Sequence, residues 1–226
     1  MGNIEPFFNI KFFGYNIGIA QSILVQWVII ALVSILCFFF TRNLKIIPNK
    51  KQNIIEIVME SINKLVKDNM GEDYMDFVPF IGTIAIFLVF MNLTGLIGVK
   101  PPTADYSVSL ALSLITFFVV QWFAIKKIGL GHYFKGYTEP YAFILPINLI
   151  ERVMLPVSLS FRLFGNMTAA VVIMELLYRS LGSLNGFAQL IIPIPLHFYF
   201  DLFDGIIQMV IFVMLTMVNI KVIAEH

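Results

Sequence analysis

Residues 156–170 read PVSLSFRLFGNMTAA. Arg162 is the only charge in the stretch, and apolar sequence continues on its C-terminal side to Met174. An arginine cannot shed its proton to escape an apolar setting, because its pKa lies above ~12. Near the middle of a bilayer its charge costs from ~2.5 to more than ~10 kcal/mol, depending on how far water and snorkelling help. Three readings are open: a guanidinium snorkelling to the headgroups, one paired silently inside a helix bundle, or a functional charge. The last is the default for an ionisable residue inside a membrane span.

The composition around this stretch sets the class. The 226 residues are 59% hydrophobic and 13% charged, against roughly 25% charged residues in soluble domains. This is an integral membrane protein. A formal net charge of +1 gives no global field that would attract nucleic acid. Cys37, the only cysteine, excludes an intrachain disulfide and a cysteine-rich metal site, and reads as a small apolar residue in a span. His132, His197 and His226 are scattered, and there is no phosphate loop, GxSxG or HExxH. No cofactor, metal or catalytic centre is expected. The first apolar run lacks a basic leader and a small-x-small cleavage site, so it reads as a retained span, not a signal peptide.

Residues 1–226 read as one all-α membrane domain of about five membrane-embedded helices and a surface helix. Residues 19–40, 77–98 and 107–125 carry no charge and are each long enough, or nearly so, to cross ~30 Å of hydrocarbon. Gln21 and Gln26 in the first span are expected to bond between helices. Residues 51–69 repeat Ile54, Val58, Ile62 and Leu65 at helical spacing, with Glu60 and Lys64 on another face. They read as an amphipathic helix on the cytoplasmic surface, with Asn53 and Glu56 as a variant capping box. Pro79 fits a first helical turn, and Pro101-Pro102 ends the second span. Asp105 suits either a cap for the next helix or a channel position. Glu151, beside Arg152, suits a local ion pair or a second channel position. The stretch from Lys126 to Leu149 is too polar and broken at first to span. An arginine-bearing region follows over residues 141–182, and a C-terminal helix region over 187–224. The last apolar run exceeds one perpendicular crossing, which predicts a long, strongly tilted hairpin from these two regions. Most lysines and arginines fall in the loops after the first and third spans, so the N-terminus is expected outside and the C-terminus in the cytoplasm.

Polar side chains concentrate on two helices. Ser158, Arg162 and Asn166 are four apart and share a face, and small Ala169 follows. Asp201, Asp204 and Gln208 are spaced i, i+3, i+7 in the last helix, again as one face, and Glu175 lies toward the other end of the arginine helix. Three acids are too many for one private pair with Arg162. Unpaired buried carboxylates bind and release protons near neutral pH, as a proton path or aqueous half-channel requires. A satisfied polar core is the alternative.

SLSFRLFGNM, from Ser158 to Met167, closely resembles the signature of subunit a of the rotary F-type ATP synthases. NLTGLIGVKPPTAD, AFILPINLIE and QMVIFVMLTMVNI resemble three further segments of that family, in family order. The resemblance implies a non-catalytic stator beside a rotating ring of c subunits, held with subunit b of the peripheral stalk and the remaining synthase subunits. A compact chain without a transit peptide makes a bacterial cell membrane the expectation, although an organelle-encoded copy would also lack one. It implies two half-channels that carry protons or sodium to the ring carboxylates. Arg162 would separate them and lower the pKa of each passing carboxylate. Arg162, Asn166 and Gln208 match the family's arginine, asparagine and glutamine, and Ser158 matches a polar position. Two positions depart: Val171 stands where many members have glutamate, and Asp201 where many have histidine. Glu175, Asp201 and Asp204 are therefore the expected lining of the external half-channel. A stand-alone proton or cation transporter and a purely structural anchor are the competing readings.

Overall fold

A computed structural model describes residues 8–12, 15–42, 44–45, 49–131, 143, 145–182 and 191–225. The glycine-broken stretch around Lys135 and the turn before Ile191 lie outside the described residues. The chain begins with a two-stranded antiparallel ribbon, β1 (Phe8–Phe12) and β2 (Tyr15–Ile19), in which Phe8 faces Ile19 and Phe12 faces Tyr15. This ribbon was not anticipated from the sequence; the described elements after it are all helical, as expected.

The helix α1 (Gln21–Thr41) stands at the edge. Only 6% of its span is buried, and Trp27, Phe38 and Phe39 point outward, as lipid allows for a segment whose backbone bonds are all internal. Gln26 donates to its own helix at Ser22 O, 3.1 Å away, and Gln21 is exposed. The expected interhelical role of these two residues is therefore not met. Ser22 instead ties α1 to the chain, donating to Asp105 Oδ2 at 2.8 Å.

The amphipathic α2 (Lys50–Met70) turns Ile62, Val66 and Met70 inward and leaves Ile54, Ile57 and Val58 exposed. Its N-cap is Asn49, not Asn53, and no side chain caps it. Gln52 occupies the local hydrogen bonds: its carbonyl oxygen accepts from Lys45 N at 3.0 Å, and its amide donates to Lys45 O and Glu56 Oε1. At the other end Lys67 pairs with Glu72 at 2.6 Å, which raises the Lys67 pKa above its ordinary value.

The second span is a 3-10 turn (Glu72–Phe77), then α3 (Val78–Asn92) with Pro79 in its first turn, then a second 3-10 turn (Leu93–Ile97). A short 3-10 turn (Pro102–Ala104) leads to α4 (Tyr106–Ile128), whose N-cap Asp105 accepts from Ser107 N at 3.1 Å. α5 (Leu145–Leu181) runs unbroken for 37 residues through a buried Pro156. A proline there removes the bond to the Arg152 carbonyl, yet the helix continues on both sides of it. The C-terminal region is α6 (Pro193–His197), a π-helical segment (Phe198–Asp204) and α7 (Gly205–Glu225). Five segments are long and apolar enough to cross a membrane, the last two spanning 37 and 31 residues.

The core lies where α2, α3, α4 and α7 meet. Val66, Ile81, Leu88, Met91, Val120, Val213, Met217 and Ile220 are at most 1% exposed. Through it runs a chain of satisfied polar groups. Asn92 Nδ2 donates to Gly205 O at 2.9 Å, Thr103 Oγ1 donates to Asn92 Oδ1 at 3.0 Å, and Ser109 Oγ donates to Thr103 O at 2.8 Å. Gly205 makes this possible, since a Cβ there would meet Asn92 Cβ at 3.0 Å. Buried groups of this kind are costly only when left unpaired. Asn92→Leu is expected to orphan the Thr103 hydroxyl and press on Gly205. It should lower the protein's thermal stability by about 1–3 kcal/mol, read as a reduced midpoint in a detergent melt.

Candidate functional site: an outward arginine and an inward acid

The apolar stripe of α5 decides where its polar stripe points. Leu159, Leu163, Met167, Ala170 and Met174 are buried against the bundle. Ser158, Phe161, Arg162, Gly165, Asn166 and Ala169 consequently face out. A Cβ at Gly165 would meet nothing within 4 Å, so this face is a shallow groove of small side chains with Arg162 beside it. Phe161 and Phe164 frame it against the Tyr106 ring, with centroids 5.3 and 5.5 Å away. Among the described residues Arg162 has neither an ion pair nor a hydrogen bond. A private pair inside the bundle is thereby excluded for the described residues.

The second polar helix behaves oppositely. Asp201 is 7% exposed and Gln208 4% exposed, while Asp204 is only half-buried. The single face expected for these three is split. A π turn closes i→i+5 bonds and so rotates less per residue than an α turn, and the π segment ends at Asp204. Gln208 makes no hydrogen bond among the described residues, so its amide remains available.

Asp201 sits in a built environment. Its Oδ2 is 2.5 Å from His197 Nδ1, and His197 Nε2 is 3.0 Å from the Tyr178 hydroxyl. Gly95 forms the opposite wall: a Cβ there would lie 2.3 Å from Asp201 Oδ1. His197, read from the sequence as one of three scattered histidines, is therefore part of the site. The i, i+4 spacing of His197 and Asp201 was the available signal; nothing local points to Tyr178 or Gly95.

The remaining candidates stand apart. Glu175 is exposed and has no hydrogen bond or ion pair among the described residues. Glu151 is likewise exposed and unpaired, so the local pair expected with Arg152 is not formed. Asp105 is the helix cap described above, and it borders a cavity of about 590 Å³ that Ala20, Ser22, Gln26 and Ser107 also line.

Five segments long and apolar enough to cross a membrane define a multi-pass membrane protein, and among its described residues the Arg162 charge has no partner. The comparisons name the family. Residues 23–221 match the family described as ATP synthase A chain. "ATP synthase subunit a 2" of Bradyrhizobium sp. (strain BTAi1) is 34% identical over 205 residues, covering 90% of this chain and 88% of that protein. "ATP synthase subunit a, sodium ion specific" of Propionigenium modestum is 31% identical, covering 92% and 75%. "ATP synthase subunit a, chloroplastic" of Stigeoclonium helveticum is 36% identical, covering 88% and 82%. The chain belongs to the ATP synthase subunit a family.

Proposed function

We propose that the chain is the ion-translocating stator of a bacterial F-type ATP synthase, itself non-catalytic, and that Arg162 separates two half-channels serving the carboxylates of a rotating c ring. The observation that carries this reading is the outward, unpaired Arg162 on a stripe of small residues. A guanidinium left facing hydrocarbon is strongly disfavoured; a carboxylate from a second chain, arriving over Gly165 and Ala169, compensates it. The opposite charge lowers the pKa of that carboxylate and favours release of its ion. The same fixed cation repels an ion that would otherwise pass directly between the half-channels. Each elementary charge crossing the potential yields ~2.3 kcal/mol per 100 mV, and a leak past Arg162 would dissipate it without turning the ring.

The 37 residues of α5 amount to about 55 Å of helix at ~1.5 Å per residue, against ~30 Å of hydrocarbon. Strong tilt, with α5 and α7 as a hairpin along the ring, accommodates the excess. Subunit b holds the stator against the torque. The basic loops keep the N-terminus outside and the C-terminus in the cytoplasm. Asn166, Gln208 and Ser158 line the contact with the ring or the ion path. Glu175, Asp201 and Asp204 serve the external half-channel, with Asp105 at its margin, and Glu151, at the opposite end of α5, is a channel position on the cytoplasmic side. The translocated ion is a proton or sodium.

Affinity purification through a tag on this chain tests the assignment. It is expected to bring down the c ring and the peripheral ATPase subunits, and the chain alone in vesicles should conduct no ions. Ion transport by the chain alone, without partners, would favour the stand-alone transporter. Glu175→Gln, Asp201→Asn and Asp204→Asn should each slow ion-driven ATP synthesis in the whole complex. Wild-type rates in all three would remove these acids from the channel.

A further inference from the structure

Three side chains line up where the end of α5 meets the π segment. Tyr178, exposed near the C-terminal end of α5, has its hydroxyl 3.0 Å from His197 Nε2. The other ring nitrogen, Nδ1, is 2.5 Å from Asp201 Oδ2. Asp201 is buried, with the Gly95 backbone against its other oxygen. The line thus runs from a surface hydroxyl, through one imidazole, to an interior carboxylate.

Resting on the stator reading above, we infer that Tyr178, His197 and Asp201 form a proton-selective wire, so that the ion is filtered in the stator before it meets the ring. A neutral imidazole donates from one nitrogen and accepts at the other. It can therefore take a proton on one side and release one on the other in a single pass. In the step proposed, Tyr178 passes its hydroxyl proton to Nε2 as water resupplies the phenol oxygen. The Nδ1 proton moves to Asp201 Oδ2. One proton enters and one leaves, and no bond between heavy atoms changes. Once Asp201 hands its proton onward, the imidazole must reorient so that its protonated nitrogen again faces Asp201, which resets the wire for the next proton.

An alkali cation cannot use this route. It requires several oxygen ligands at once, whereas here an N–H occupies the carboxylate oxygen that faces the path, and backbone closes the other side. The neighbouring ionisable groups are few. Glu175 lies three residues before Tyr178 on α5 and Arg179 directly after it, and Asp204 lies three residues after Asp201; the 3-10 turn Leu93–Ile97 that packs against the π segment brings none.

The test uses the whole complex in sealed vesicles, with ring assembly checked by co-purification. A proton gradient should drive ATP synthesis in the wild type, and a sodium gradient with the proton gradient collapsed should not. His197→Ala and His197→Gln should each lower proton-driven synthesis at least about 10-fold, the low end of what a positioned proton-transfer group supplies. Glutamine can still hydrogen-bond both neighbours, so a purely structural role for His197 predicts near-normal rates in that variant. Added imidazole should recover synthesis in His197→Ala and not in Arg162→Ala. Wild-type rates in His197→Gln, a His197→Ala defect that imidazole leaves unchanged, or synthesis on the sodium gradient alone would each overturn the wire. The stator reading fails separately, on retained coupling in Arg162→Ala.

Discussion

Vesicles carrying the complex with Arg162→Ala are expected to lose ATP-driven ion uptake and to leak ions passively. The reasoning starts from the ring carboxylate. A neighbouring guanidinium lowers a carboxylate's pKa by ~1–3 units, so its removal reduces the fraction ready to release its ion by about 10- to 1000-fold. Pumping should fall by a comparable factor. The leak has a different origin. Arg162 is the only charge between Pro156 and Met174, and without it nothing of positive sign stands between the half-channels. Because Arg162 is exposed and bonds to no described residue, its loss should leave the fold of this chain intact. Normal co-purification of the ring beside lost pumping would show that. Arg162→Lys keeps a charge but loses the planar fork and its fixed geometry, and it should pump poorly with less leak than the alanine variant. Tightly coupled pumping in Arg162→Ala would move the structural-anchor reading ahead.

Gly95→Ala is expected to damage the complex as severely as a change at a charged residue would. The added methyl carbon would lie 2.3 Å from Asp201 Oδ1 and 2.5 Å from its Cγ. The carboxylate has a short stem and is held by His197, so it cannot swing away without giving up that bond. Overpacking of this kind costs about 1–3 kcal/mol, and ion-driven synthesis should fall to the level of Asp201→Asn. A double variant separates the two effects. In an Asp201→Ala background, Gly95→Ala meets no carboxylate and should cost little further stability, while activity stays low. An equal stability loss in both backgrounds would place the clash elsewhere.

Much of the architecture was legible before any coordinates. Charge-free runs of sufficient length locate spans because backbone polar groups in lipid must be satisfied within the helix. The first span, read as 19–40 and found as Gln21–Thr41, the Pro79 turn and the Asp105 cap follow from rules spanning at most a few residues. The amphipathic α2 was equally plain, although its start was misread. Asn53 and Glu56 have capping-box spacing, but Gln52 engages Lys45 and the helix begins at Lys50. The β ribbon was missed although its signal was there: Phe8, Ile10 and Phe12 alternate with Asn9 and Lys11, and Tyr15, Ile17 and Ile19 with Asn16 and Gly18, the period-two pattern of a strand. The π segment was missed for a different reason: extrapolating a uniform helical period through Phe198–Asp204 puts Asp204 on the wrong side.

For the site, the division follows the range of the forces involved. That Arg162 lies in a span and shares a face with Ser158 and Asn166 required only helical geometry and the price of a permanent charge in hydrocarbon. Whether that face looks into the bundle or away from it depends on which stripe of α5 packs against its neighbours, a contest between whole surfaces that no local motif encodes. Leu163 and Met167 won the interior, and Arg162 was left outside. The pocket of Asp201 is more distant still from local reading. Gly95, Tyr178, His197 and Asp201 come from three separate segments, and only the packing of α3 and α5 against the C-terminal helices brings them to one carboxylate.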